Sequence, residues 1–129
     1  MSKISKNHIE DILALTPMQE GFLFHYLENG ETGYYNGVLT IKLIGEINLL
    51  KFEDAWNCVV ENNDMLRAVF RWNKLKNPVQ IILKKHIVKV HYYDLSNTYN
   101  KESVLEKEKE LNGNYVFNLE EAPFKIDLY

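Results

Sequence analysis

The sequence is short of the residues from which disulfide scaffolds, membrane spans and most catalytic or metal centres are built. It has one cysteine, Cys58, in 129 residues. That excludes an internal disulfide and fits a reducing cytoplasm, and the thiol reads as a small apolar position on a helix. No apolar run approaches the roughly 20 residues of a spanning helix. The run at 12–15 is too short for a signal-peptide core. No basic run exceeds a pair and the net charge is −3, which argues against nucleic acid as a partner. Gly21, Gly30, Gly33, Gly37, Gly45 and Gly113 are scattered, so no glycine-rich loop cradles a phosphate. The histidines His8, His25, His86 and His91 include no adjacent pair, and none stands at metal-ligand spacing. His86 and His91, five apart across a strand boundary, read as exposed or half-buried sheet residues. No Ser-His-Asp or Cys-His triad can be assembled. The expectation is a soluble cytoplasmic chain binding no metal or cofactor directly.

The remaining composition is that of an ordinary globular domain. Hydrophobic residues make up 46% and charged residues 26% of the chain, enough for a single core and too apolar for wholesale disorder. Residues 1–7 are polar and read as a flexible leader or linker remnant.

The most informative stretch is residues 15–27, LTPMQEGFLFHYL. Thr16 suits the N-cap, Pro17 the first helical position, and Gln19 can reach back to the Thr16 N–H to close a capping box. The helix is expected to run to about Glu28, with Asn29 and Gly30 as its stop and Gly33 in the turn beyond. Its content of Met18, Phe22, Phe24, His25 and Tyr26 suggests a helix that packs on one side and lines something on the other. Ahead of it, Ile9, Ile12, Leu13 and Leu15 form an extended approach.

Further along, residues 34–44 alternate with period two, Leu39, Ile41 and Leu43 against Thr40 and Lys42, and predict a strand ended by Gly45. Asn48 can cap a helix over 49–63, whose stripe Phe52, Ala55, Trp56, Val59 and Val60 is expected to pack on a sheet. Strands are predicted at 66–72, at 79–84 after Pro78, and at 88–93. A charged, solvated helix follows over 101–111, burying Val104, Leu105 and Leu111 and stopped by Asn112-Gly113. Phe124, Ile126 and Leu128 alternate in a last strand. Interleaved helices and strands give an α/β domain, a mixed sheet with helices packed on it.

Four of these stretches carry a resemblance. LTPMQEGFLFHYL is similar to the first signature of the condensation domains of nonribosomal peptide synthetases, and MLRAVFRW at 65–72 to the second. KNPVQIILK at 76–84 resembles the strand that follows, and FNLEEAPFKIDLY at 117–129 the segment leading to the active-site loop. Taken in order they cover nearly the whole chain, 1–129. The pairing of QEGFLFHYL with FRWNKLKNPVQIILK looks more like an elongation-type domain than a heterocyclising one.

The resemblance implies half of a chloramphenicol-acetyltransferase-like fold, within a synthetase of antibiotics and other secondary metabolites. It also implies the activity: an amine on one carrier protein attacks a thioester on another, forming a peptide bond. Phosphopantetheine would then belong to the partner carrier domains. The remainder of the condensation domain and an adenylation domain would be its other neighbours. The family's catalytic His-His-x-x-x-Asp-Gly loop is not among these residues, so the chain reads as the front of an N-terminal lobe and as inactive alone. Arg67 takes the place of the signature arginine that pairs with the Asp of that loop, a role suited to a guanidinium fork. Lacking that Asp, Arg67 is expected to be solvated or to find Asp64, Asp127 or an ion. Met18, Gln19, Phe22 and His25 are the candidates for lining the substrate tunnel.

Two other classes compete with this reading, a non-catalytic carrier-protein or docking module and a single-lobe acyltransferase relative acting as an oligomer. Continuation of the reading frame into the histidine motif would favour the enzyme. Self-association is expected through apolar surface around 124–129.

Overall fold

Thr16 and Gln19 close the reciprocal cap that their spacing predicts. The Thr16 N–H donates to the Gln19 Oε1 at 2.9 Å, and the Gln19 N–H to the Thr16 Oγ1 at 3.3 Å. This is the start of α1 (Pro17–Glu28) in the computed structural model, which describes residues 4–28 and 35–129. The predicted stop at Asn29-Gly30 and the Gly33 turn lie outside the described residues. Leu23 is the buried residue of α1, while Met18, Phe22, Phe24 and Leu27 stay exposed. Burial therefore accounts for little of the helix's aromatic content.

A turn of 3-10 helix at Lys6–His8, capped by the Ser5 hydroxyl, leads into β1 (Ile9–Ala14). β1 pairs antiparallel with β3 (Val79–Leu83), which pairs antiparallel with β2 (Ala68–Arg71), giving the order β1-β3-β2. Ala68, Val69, Ile81 and Ile82 are buried. Successive strand residues point to opposite faces, so the Ile81–Ile82 pair means that β3 is covered on both. Gln80, polar and buried in the same strand, accepts from Gln19 at 3.2 Å and donates to the Ala14 carbonyl at 3.3 Å, tying α1 to the sheet.

β4 (Val90–Tyr92) and β5 (Ile126–Leu128) form a separate parallel pair with Val90 opposite Ile126. The sheets thus use both strand orientations, and α2 (Leu49–Glu61) and α3 (Lys101–Gly113) complete the α/β architecture. Asn48 caps α2 as predicted, accepting from the Lys51 N–H at 3.0 Å. The packing face of α2 is rotated from the expected stripe. Phe52, Trp56 and Val60 join Val88, Val90 and Ile126 in the core, whereas Ala55 and Val59 are exposed. The rotation follows from two polar residues one turn apart. Asn57 accepts from the Val88 N–H at 2.9 Å and donates to its carbonyl at 3.1 Å, and the Glu53 carboxylate accepts from the Val90 N–H at 2.9 Å. Side chains of α2 thereby satisfy backbone groups of Val88 and of Val90 at the start of β4.

In α3, Val104 and Leu105 are half-buried and Leu111 is exposed. His86 lies in the loop between β3 and β4 rather than in a strand, half-buried with its ring 5.9 Å from that of Phe124.

The strand predicted at 34–44 does not form over its described part. Residues 36–44 carry neither helix nor ladder, and no backbone hydrogen bond joins 37–44 to another described residue. Alternation records which faces side chains favour, but a strand also needs an edge to pair with. The edge of β4 is met at Val90 by Glu53, and Val88, just ahead of the strand, by Asn57. That of β2 is met by Leu119, whose carbonyl accepts from the Phe70 N–H at 2.8 Å. Gly45, at φ +119°, turns the chain from this segment toward α2.

Candidate functional site

One groove gathers the aromatic residues of α1 against a distant part of the chain. Gln19, Phe22, Leu23 and Tyr26 form one wall, and Tyr115, Val116 and Phe117 contribute from the segment after α3. Phe70 of β2 and Leu119 also line it, with Tyr35 and Asn36 from beyond the described end of α1. Its volume is about 260 Å³, and among the described residues that line it none brings a carboxylate, ammonium, guanidinium or imidazole. The rings interlock, Phe22 with Tyr35 at 4.9 Å between centroids and Tyr115 edge-on to Phe117 at 4.8 Å. Such a surface suits an uncharged group of mainly apolar character, with amides to orient it.

The amides are largely held by the protein. Gln19 is bonded through its oxygen to the α1 cap and through its nitrogen to Gln80. Asn36 donates to the carbonyls of Gly113 and Tyr115, fastening the far wall to the segment that follows α1. Farther along the same segment, the Arg71 guanidinium donates to the Glu120 carbonyl at 3.0 Å. Arg71 is buried, and its Nη2 has no hydrogen-bond partner among the described residues.

The residues singled out from the sequence divide in two. Gln19 and Phe22 line the groove. Met18, 70% exposed, does not, and neither does His25. The His25 ring instead lies 5.6 Å from Phe24 and 5.7 Å from Tyr35, with its Nδ1 3.8 Å from Glu28. Arg67 stands apart from the groove in a polar knot at the end of the antiparallel sheet. It is 5% exposed. Its Nε donates to the Val60 carbonyl at 3.2 Å, its Nη1 to the Leu83 carbonyl and the Glu10 carboxylate, and its Nη2 to Asp64 at 2.5 Å. Asp64 was one of the partners expected for it; Glu10 and the two carbonyls were not. The knot joins the start of β1, the end of α2 and the end of β3. Asp127, another expected partner, is engaged elsewhere. Its carboxylate takes His91 at 3.1 Å, Lys125 at 3.0 Å and Asn112 at 3.2 Å.

The groove's second wall was missed in the sequence, although Tyr115 and Phe117 are two aromatic residues flanking one Val, directly after a helix stop. Gln80, a lone polar residue inside an otherwise apolar strand, was the available sign of the link to α1. Among the described residues no group of three or more His, Cys, Asp or Glu could hold a metal ion. No helix among them is long and apolar enough to cross a membrane.

Comparison with known proteins places these features in one context. Residues 9–129 match the family model described as the condensation domain. Tyrocidine synthase 2 of Brevibacillus parabrevis is 41% identical over 96 residues, which are 74% of this chain and 3% of that protein. Surfactin synthase subunit 3 of Bacillus subtilis is 36% identical over 79% of this chain and 8% of its own length. Gramicidin S synthase 2 of Brevibacillus brevis is 30% identical over 95% of this chain and 3% of its own length. The chain thus spans less than a tenth of these relatives. A crystal structure of a four-domain nonribosomal peptide synthetase superimposes with a TM-score of 0.71 over 92% of this chain and 9% of that one, at 16% identity. At that identity the likeness speaks for the fold.

Proposed function

Because this chain belongs to the condensation-domain family, we propose that it acts as part of a peptide-bond-forming lobe in a nonribosomal peptide synthetase. The match across residues 9–129 carries this reading. In it, the amine of one carrier-bound aminoacyl group attacks the thioester carbonyl of another, forming an amide and releasing the donor carrier's thiol. Phosphopantetheine arms on the partner carrier domains bring both groups in. The remainder of the condensation domain and an adenylation domain complete the assembly, in the cytoplasm.

Within that reaction, the groove against α1 is a place where an uncharged acyl or aminoacyl group is held. Its lining of rings and two amides supports this, and so does the lack of charged side chains among the described residues of that lining. Gln19 and Phe22 contribute to that wall; Met18 and His25 stand on the same helix outside the groove's lining. Holding reactants at the right distance and orientation is a large part of what such a site supplies. Arg67 is a support for the catalytic loop: among the described residues four of its five N–H donors are used at the sheet end, and one on Nη2 could serve the loop's Asp.

No His-His-x-x-x-Asp-Gly sequence occurs in residues 1–129, and the role proposed for these residues is to bind the acyl group rather than to condense it. The test supplies the chain with a donor and an acceptor aminoacyl thioester of N-acetylcysteamine and follows products by mass spectrometry. Thioesters and free amino acids alone are expected. Dipeptide formed above the rate in buffer would show that this chain holds the reacting groups itself and would overturn that assignment.

A further inference from the structure

The second wall of the groove belongs to a stretch without regular structure. Residues 114–125 form neither helix nor strand, so no ladder or helical spacing sets their side chains. The Tyr115 backbone is tied down. Its N–H donates to the Asn112 carbonyl at 3.3 Å, and its carbonyl accepts from Asn36. Neither bond fixes the rotation of the side chain, and the ring is what the groove presents.

Two contacts confine that ring. Phe117 meets it edge-on at 4.8 Å, and the Lys125 ammonium lies over it, 4.8 Å from the centroid. A cation in that place is attracted by the negative face of the π system. A lysine holds a ring still only when its own flexible stem is held. Asp127 supplies the hold, its carboxylate 3.0 Å from the Lys125 Nζ and its side chain 8% exposed. That carboxylate is fixed in turn from two elements. Asn112, in the last turn of α3, donates to it at 3.2 Å, and the His91 Nδ1 on β4 lies 3.1 Å away.

In the sequence, Lys125 and Asp127 fall between Phe124, Ile126 and Leu128, where alternation places the solvent side of a strand. The burial of Asp127 overrides that pattern and makes the pair an anchor. Lys125 itself does not line the groove; it touches Tyr115, which does.

We propose that Lys125 is a positioning residue for the acyl-holding groove: pinned by Asp127, its ammonium sets the Tyr115 ring in the second wall. The inference rests on reading that groove as the place where an acyl or aminoacyl group is held, and it adds a residue outside the lining that shapes it.

The test uses isotope-labelled chain, with the phenylalanyl thioester of N-acetylcysteamine as probe. Lys125→Met keeps a stem of similar length and removes the charge. Before any probe is added, it should shift the Tyr115 ring resonances and weaken the Tyr115–Phe117 ring contact, leaving the Phe22–Tyr35 contact intact. Affinity for the probe should fall about three- to fivefold. Lys125→Arg can both pair with a carboxylate and stack on a ring, so it should bring affinity back to within about twofold of wild type. Asp127→Asn should also weaken binding, yet add little in the Lys125→Met background, because both changes act through one ring. If Asp127→Asn folds poorly, the two Lys125 variants decide alone. Unchanged Tyr115 ring signals in Lys125→Met would overturn the proposal. So would unchanged affinity, or a loss that arginine does not restore. A wild-type chain that binds no thioester at millimolar probe would count against the groove reading instead, and the ring signals, read without probe, would still decide whether Lys125 sets Tyr115.

Discussion

Replacing Arg67 by alanine should cost this chain about 3–4 kcal/mol, an amount that can be assembled from its surroundings. The guanidinium serves four acceptors, and they do not lose equally. The Val60 carbonyl retains the Asn63 N–H at 3.3 Å, so it stays satisfied. The Leu83 carbonyl loses a charge-assisted bond at the sheet end, worth about 1–3 kcal/mol where water does not replace it. The Glu10 and Asp64 carboxylates are 48% and 67% exposed. Both can rehydrate, so each pair contributes only about 0.5–1 kcal/mol. Loss of the packed stem of a side chain that is 94% buried adds the rest.

The assay is urea unfolding with linear extrapolation, comparing wild type, Arg67→Ala and Arg67→Lys. The slope should stay constant and the midpoint fall. Lysine keeps the charge but cannot span four acceptors from one plane, so it should recover less than half of the loss. If Arg67→Ala folds poorly, the lysine variant alone still reads the effect. A loss below about 1 kcal/mol for alanine, at unchanged slope, would refute the claim that Arg67 binds β1, α2 and β3 into one unit.

Three further outcomes follow from other contacts. Asn57→Ala strips both backbone groups of Val88 of their partner and should cost about 2–4 kcal/mol in the same urea assay, whereas Asn57 as a mere surface residue would cost under about 0.5 kcal/mol. Burial holds the His86 imidazole below its ordinary pKa of 6.5. The unfolded chain therefore takes up that proton first, and His86 should lower stability as pH falls through about 6.5 toward its depressed folded value. His86→Gln should flatten that part of a stability–pH curve, and an unchanged curve would contradict the assignment. The Tyr129 phenol, stacked on Tyr93 at 4.9 Å, is pushed up to about 12, first by burial and then by the carboxylates of Asp127 and Glu108. A raised folded value means stability that is intact below pH 10 and lost as pH climbs from there toward 12. Tyr129→Phe should remove that alkaline loss when urea unfolding is compared with wild type between about pH 9 and about pH 12, and an unchanged loss would contradict the assignment.

The local parts of this fold could be read from the sequence because their causes are local. The Thr16–Gln19 box, the Asn48 cap, and strands β3 and β5 each depend on residues within a turn of one another. What stayed hidden depends on distant partners. Nothing near Arg67 in the sequence points to Glu10, 57 residues away. The face of α2 was misjudged because Glu53 and Asn57 look like solvent-facing residues until β4 lies beside them. Residues 37–44 show the limit most plainly: their alternation is real, but pairing is a property of two segments. The site was half legible. The α1 wall with Gln19 and Phe22 came from the signature helix, whereas the wall at Tyr115–Phe117 follows only from the Asn36 and Arg71 contacts that fold that segment back.

The central claim is that the groove between α1 and residues 115–117 receives an uncharged aminoacyl group in a peptide-forming domain. Its most direct test is a titration of isotope-labelled chain with a phenylalanyl thioester of N-acetylcysteamine, followed by amide and aromatic-ring chemical shifts. Shifts that saturate and are confined to Phe22, Tyr26, Phe70, Tyr115 and Phe117 are the predicted result, lost on Phe22→Ala. Saturating shifts centred elsewhere, or none at millimolar probe, would contradict it.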